Sequence, residues 1–362
     1  MARIKRDKLL RVLLFGLLIL SLLAETVFAG QANVFVYHRF NDSRYPSTNT
    51  SLEDFRAHLD LLVQEKFTVL KLGQVVERLQ KEISLPQRCA VITVDDAYRS
   101  FITDGWPLLK EYGYPATLFV STDFVGGEEY LSWQELRALQ DEGVEIGNHS
   151  ASHDYLLDRL ASESDADWVE RISADLHRSQ RAFANQLGLT PELFAYPYGE
   201  FAPELIDLVK NAGFTAAFGQ QSGVVDNGQD LFSLPRFPVG GNYASPSEFS
   251  GKLFMESLSI RIASPKTSVI TEENPPKLRF YLNQDIDGSS LRCFVPGQSE
   301  CLVRQLSEQD GLYEIEALQP ISGRRSKYTL TARNARGTAW YWFSQLWVLP
   351  RSGEVADHSV PR

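Results

Sequence analysis

Two short segments hold the residues best placed to do chemistry. Ala90-Val91-Ile92-Thr93-Val94-Asp95-Asp96 is an apolar run that ends in adjacent carboxylates. Val144-Glu145-Ile146-Gly147-Asn148-His149-Ser150-Ala151-Ser152-His153 is a second run, ending in two histidines four residues apart. Adjacent acids repel unless a cation offsets one of them; the plainer alternative is that a strand-end Asp caps the next helix. Histidines at i and i+4 lie on one side of a helical turn or loop, where both can reach one metal ion. Two imidazoles and one carboxylate suit a zinc-like divalent ion and leave a position open to water, the arrangement of a catalytic site. A third segment, Phe194-Ala195-Tyr196-Pro197-Tyr198-Gly199, reads as a Pro-Gly strand exit. There the backbone N–H after Pro197, that of Tyr198, could face a developing oxyanion. Leu234-Pro235-Arg236 marks a fourth such place.

These segments need a scaffold that brings strand ends together. From residue 33 to about 255, short apolar runs alternate with amphipathic stretches, the pattern of repeated strand–helix units. Strands are predicted at Val34–Tyr37, Phe67–Leu70, Ala90–Val94, Thr117–Val120, Val144–Gly147, Leu193–Tyr196 and Phe214–Phe218, with a weaker one near Leu234–Val239. Most are continuously apolar, as parallel strands buried on both faces are. Helices are predicted behind Ser51, which with Asp54 forms a capping box, and over Trp106–Tyr112, Trp133–Glu142, Ala166–Leu187 and Pro203–Ala212. Seven or eight units over this length fit a (β/α) barrel, whose active-site face is the C-terminal end of its strands. No glycine-rich phosphate loop follows the first strand, which weakens a nucleotide-binding reading.

Thr93-Val94-Asp95-Asp96, His149-Ser150-Ala151-Ser152-His153 and Tyr196-Pro197-Tyr198-Gly199, in this order, resemble the first three motifs of the polysaccharide deacetylase family, the carbohydrate esterases related to the nodulation deacetylase. The resemblance covers roughly residues 33–250. Val36-Tyr37-His38-Arg39-Phe40 with Ser47-Thr48-Asn49-Thr50 is similar to the biofilm poly-N-acetylglucosamine deacetylases in particular. It implies an α/β fold, a distorted (β/α)7 barrel, with Asp96, His149 and His153 as metal ligands, Asp95 as general base, and Pro197 and Tyr198 at the oxyanion and substrate. The ion implied is zinc, with cobalt, nickel or iron also acceptable to such ligands. Two departures stand out. The arginine that many members carry in the third motif is replaced by Ala195 and Tyr196, so Arg236 is the candidate to orient the base. No histidine occurs between His177 and His358 to serve as the late acid, so His38, at the end of the first strand, is the candidate to protonate the leaving amine.

The remaining sequence sets the context. Residues 1–29 have the form of a signal peptide: a basic start, an apolar run from Val12 to Ala24, and small residues before the expected cleavage. That run is short of the roughly 20 residues a spanning helix needs. The chain is therefore expected to be periplasmic or secreted. Removing 1–29 takes five positive and two negative charges from a formal net charge of −10, leaving an acidic chain of −13. Nucleic acid is excluded as a partner on this charge. The barrel is expected over 30–262, a linker over 263–276 and a small all-β sandwich over 277–350, followed by a loose tail over 351–362. Tyr341, Trp342, Phe343 and Trp347 fit a strand core better than a sugar-stacking face. Cys293 and Cys301 flank a Pro-Gly turn and could form a local disulfide, while Cys89 reads as a small buried hydrophobe. The function expected is removal of N-acetyl groups from an acetylated N-acetylglucosamine polysaccharide, poly-β-1,6-N-acetylglucosamine first, with peptidoglycan or chitin oligomers as other substrates. The sandwich could then bind sugar, dock on the barrel, or recruit a cell-envelope or export-machinery partner. The rival class is a non-catalytic glycan-binding protein on a degenerate barrel.

Overall fold

The computed structural model describes residues 30–351, apart from 272, 284 and 335. The signal-peptide segment and nearly all of the expected tail lie outside the described residues.

The barrel begins with β1 (Ala32–Tyr37), the short pair β2 (Arg39–Phe40) and β3 (Asn49–Thr50), and helix α1 (Leu52–Gln64). Ser51 caps α1 by accepting from the Asp54 N–H at 3.0 Å, and the helix buries Phe55, His58, Leu59 and Leu62. Next come β4 (Thr68–Leu70), α2 (Leu72–Gln80), β5 (Cys89–Val94), α3 (Trp106–Tyr112), β6 (Thr117–Val120), α4 (Trp133–Asp141) and β7 (Glu145–Asn148). The barrel is completed by α5 (Asp165–Leu187), β8 (Leu193–Ala195), α6 (Pro203–Asn211), β9 (Ala216–Phe218), β10 (Phe237–Pro238) and α7 (Pro246–Leu253). Capping boxes at Ser132 and Ser164 start α4 and α5. Gly188, at φ 70°, ends α5 in the left-handed conformation glycine accepts without strain.

The sheet runs in the order β10-β1-β5-β6-β7-β8-β9, with β4 also on β5, and all its pairings are parallel. It curls so that β9 approaches the segment before β10 through a parallel bridge between Phe218 and Leu234, giving a distorted (β/α) barrel. Every residue of β1 and β5 is buried, which explains their continuous apolar sequence. Gly147 in β7 is required by packing, since a Cβ there would meet the Phe119 ring at 2.4 Å.

The all-β part comprises β11 (Glu256–Ser257), β12 (Ile260–Ser264), β13 (Leu278–Leu282), β14 (Ile286–Phe294), β15 (Cys301–Ser307), β16 (Leu312–Ala317), β17 (Arg325–Asn334) and β18 (Trp340–Val348). Two four-stranded sheets, β11-β18-β17-β14 and β12-β13-β16-β15, enclose a core that includes Phe280, Ile315, Tyr328, Leu330 and Trp347. Here the expected boundaries need correction. β11 and β12 fall in the stretch assigned to the barrel and linker, yet they pair with β18 and β13. The alternation Ile260-Arg261-Ile262 is the signature of a half-buried edge strand, and the prolines that follow concealed it. α2 and α7 were not anticipated, and the expected strand near 234–239 is reduced to Phe237–Pro238.

Of the aromatic group on β18, Trp347 lies in the sandwich core and Tyr341 and Phe343 pack against it. Trp342 faces the barrel instead, edge-on to Phe237 at 5.8 Å. Leu346 and Val348 join the barrel cluster of Phe194, Tyr196 and Leu205. Cys293 and Cys301 form a disulfide, and Cys89 is buried with its thiol pushed up to about 12 by burial. Among the described residues, no helix is long and apolar enough to cross a membrane.

Candidate active site

The site lies at the C-terminal ends of β1, β5, β7, β8 and β9. β5 runs into Asp95, whose N–H donates to the Tyr37 carbonyl at 2.9 Å, so the carboxylate sits at the barrel mouth but is fully buried. Arg236, also fully buried, meets Asp95 with a two-pronged fork: Nη1 to Oδ1 at 2.7 Å and Nη2 to Oδ2 at 2.8 Å. The guanidinium is held by Nε donating to the Gly219 carbonyl at 2.9 Å and Nη1 to the Thr93 hydroxyl at 3.2 Å. Gln220 Nε2 donates to Asp95 Oδ2 at 3.4 Å. Burial pushes the Asp95 carboxyl up, but Arg236 and the nearby histidines outweigh it and hold it below the usual carboxylate range.

Asp96, His149 and His153 each offer a ligand atom, all within 4.8 Å of one another. Asp96 Oδ1 lies 3.2 Å from His153 Nε2 and 3.5 Å from His149 Nε2. His149 Nδ1 is 2.7 Å from the Ala195 carbonyl, which assigns the proton to Nδ1 and turns the Nε2 lone pair toward Asp96. Burial pushes His149 down to about 4, so its imidazole is neutral near pH 7, as a metal ligand must be. Asp96 is pushed up by burial but held far below its ordinary range by the surrounding imidazoles. This donor set fits a divalent ion of the zinc type.

The loops around these residues are strained and tied down. Asp96, Ala97, Ser150, His153 and Tyr198, none of them glycine, have φ between 55° and 71°. Such strain is retained where the surroundings over-determine the backbone, and it clusters at functional sites. In the histidine loop, Asp175 of α5 accepts from the Ala151 N–H at 2.9 Å and the Ser152 N–H at 3.1 Å, and Ser150 Oγ accepts from the His153 N–H at 2.9 Å. Pro197–Gly199 forms a single tight turn with Tyr198 at φ 59°, ψ 4°. Gly199, at φ 71°, lies so close to Gln220 that a Cβ would meet its backbone N at 2.4 Å. His38, half-buried between β1 and β2, is near enough that its charge would lower both Asp95 and Asp96.

Asp95, Asp96, His149, His153, Arg236, His38, Pro197 and Tyr198 thus all border one barrel mouth. Gln220 and Asp175 escaped the sequence reading. Gln220 follows β9 and was open to the strand-end rule that singled out Asp95. Asp175 lies on the buried stripe of α5 among Ile172, Leu176 and Ser179, where a carboxylate is out of place unless it serves a loop.

Residues 82–217 match the family model described as polysaccharide deacetylase. That span contains both acids, both histidines and the Pro197-Tyr198 turn, whereas His38 and Arg236 lie outside it. YxkH, a putative polysaccharide deacetylase of Bacillus subtilis strain 168, is 21% identical over 206 residues, which is 57% of this chain and 70% of that relative. The poly-beta-1,6-N-acetyl-D-glucosamine N-deacetylase of Escherichia coli strain K12 is 25% identical over 270 residues, or 64% of this chain. The match spans only 40% of that relative's length. The solved structure of IcaB from Ammonifex degensii shares the fold, with a TM-score of 0.55 at 24% identity, covering 62% of this chain and 97% of that one.

Proposed function

We propose that the chain, which carries a polysaccharide deacetylase domain over residues 82–217, removes N-acetyl groups from an N-acetylglucosamine polymer, with poly-β-1,6-N-acetylglucosamine as substrate. The observation that carries the mechanism is a buried, arginine-forked carboxylate beside a two-histidine, one-carboxylate donor set. A sugar-binding barrel has no use for this pairing, because binding needs neither a base nor a metal.

Asp96, His149 and His153 would hold the ion, with zinc the one expected. A divalent ion bound there supplies Lewis acidity: it lowers the pKa of a water from 15.7 toward about 7 and polarises a carbonyl. The protein's own groups do the rest. Asp95, kept ionised and oriented by Arg236, accepts a proton as the water oxygen bonds to the acetyl carbon. The Tyr198 N–H donates to the oxyanion that forms. His38 gives a proton to the departing nitrogen as the C–N bond breaks, so that acetate and a free amine result. The leader-like residues 1–29 support a periplasmic or extracellular site of action.

Substrate choice is tested by acetate release from oligomers of β-1,6-linked N-acetylglucosamine, chitin and peptidoglycan fragments, assayed side by side. The reading predicts the highest kcat/KM on the β-1,6-linked series. A higher value on chitin or peptidoglycan would keep the chemistry and overturn the substrate.

A further inference from the structure

We propose that the β-sandwich completes the active site: Arg324 and Arg325, at the start of β17, are positioning residues that hold the His153 ring and the Tyr198 backbone in their working geometry. This rests on the roles given above to His153 and Tyr198.

A single guanidinium spans both loops. Arg324 Nε and Nη2 donate to the two carboxylate oxygens of Glu200 at 2.8 and 2.7 Å, and its Nη1 donates to Asp158 Oδ1 at 2.6 Å. Glu200 follows Gly199 in the tyrosine turn, and Asp158 lies five residues beyond His153. The Glu200 side chain is 1% exposed and that of Arg324 11%, so this is a shielded, bidentate contact rather than a surface ion pair. The Arg324 guanidinium also stands 3.8 Å over the Tyr155 ring. Tyr155 stacks on Tyr198 at 3.9 Å, and Tyr198 meets His153 edge-to-face at 4.6 Å. One column therefore runs from the sandwich to a candidate metal ligand. Arg325 Nη1 donates to the Tyr198 carbonyl, and its guanidinium lies 5.2 Å from that ring. A non-glycine residue at φ 59° does not favour this conformation, and a charged donor on its carbonyl fixes the peptide plane that follows it.

The sandwich has other means of docking. Trp342 packs on Phe237, Lys327 Nζ donates to Ser222 Oγ at 3.1 Å, and Leu346 and Val348 enter the barrel cluster. The two arginines, in contrast, are directed at the loops that carry His153 and Tyr198.

The test uses the full chain with Arg324→Ala, Arg324→Lys, Arg325→Ala, Arg325→Lys and, as a seam control, Trp342→Ala. Affinity is measured by titrating Co2+ and Zn2+, kcat and KM by acetate release, and Tm by melting. Arg324→Ala should weaken ion binding about 10-fold, the range seen when groups supporting metal ligands are lost. Arg324→Lys should not restore it, because an ammonium cannot fork to Glu200, reach Asp158 and stack on Tyr155 together. Arg325→Ala should lower kcat about 10-fold and weaken ion binding less than Arg324→Ala does, since it frees the Tyr198 carbonyl and the Nε contact to Glu200 Oε1 at 3.5 Å but leaves the Arg324 fork in place. Arg325→Lys should recover most of kcat. Trp342→Ala should lower Tm alone. Unchanged ion affinity and kcat in both alanine variants would overturn the proposal, as would losses that simply track Tm through Trp342→Ala. If Arg324→Ala does not fold, Arg324→Lys and the Arg325 pair carry the same decision. If the wild-type chain releases no acetate, the deacetylase reading fails, and the titration alone decides: weaker binding in Arg324→Ala supports the clamp, and equal binding overturns it.

Discussion

Replacing Arg236 with methionine leaves Asp95 as a fully buried carboxylate without its fork. Both side chains are 0% exposed, and the pair makes two hydrogen bonds of 2.7 and 2.8 Å. Removing one partner of a buried ion pair costs about 3–5 kcal/mol, mostly because the remaining charge is stranded. In the wild type, Asp95 titrates below its unfolded value, so its contribution is present above that value and is lost as pH falls through the folded one. In Arg236→Met the sign reverses. Burial, the largest influence on Asp95, then raises its pKa, and the variant loses stability as pH rises. Urea unfolding at pH 5 and pH 8 should therefore show a larger deficit at pH 8. The acid limb of kcat/KM for acetate release should move upward with it, because a protonated Asp95 cannot act as base. Arg236→Lys should fall between, keeping the charge and losing the fork. A variant as stable as wild type at both pH values, with an unmoved acid limb, would show that Arg236 does not keep Asp95 ionised.

His38→Ala should lower kcat on an N-acetylglucosamine oligomer by about 100-fold or more, but far less on an aryl acetate whose leaving group needs no proton; equal losses on both would exclude His38 as the acid. His58, buried between Tyr37 and the Ala244 carbonyl, is pushed down to about 4 by burial. Folding thus favours its neutral form, and a contribution present above about pH 6.5 is lost as pH falls toward 4, worth about 3 kcal/mol. Denaturant titrations at pH 7, 5 and 4 should show that slope reduced in His58→Gln. The Cys293–Cys301 bridge closes a short loop at a sequence separation of 8, worth about 2.5 kcal/mol by loop entropy. The Cys293→Ser/Cys301→Ser double variant should melt lower yet bind Zn2+ as wild type; a weaker ion affinity would show that the disulfide reaches the site.

What could be read from the sequence was what has a local pattern. β5 is a run of six buried residues that ends where the acids begin, and the two histidines follow β7 at fixed spacing, so periodicity and strand-end logic were enough. Arg236 was reachable only by asking what could replace an arginine missing from the third motif; its fork to Asp95 spans 141 residues of sequence and has no local mark. Arg324 is separated from Glu200 by 124 residues and looks like one half of an ordinary Arg-Arg pair. β12 was misplaced because its Ile260-Arg261-Ile262 alternation is only three residues long and runs at once into Ser264-Pro265, which resembled a linker. α7 has only Phe249 and Leu253 to set a period, whereas α2 carries Leu72, Val75, Val76 and Leu79 at full helical spacing and was legible in the sequence.

The most direct measurement is acetate release from a β-1,6-linked N-acetylglucosamine oligomer by a chain of residues 30–362, before and after chelation and after restoring Zn2+, with Asp95→Asn alongside. Release should be abolished by chelator, restored by Zn2+ and absent from Asp95→Asn even though that variant still binds the ion. Release unaffected by chelator, or retained in ion-loaded Asp95→Asn, would rule out a metal-dependent hydrolysis with Asp95 as base.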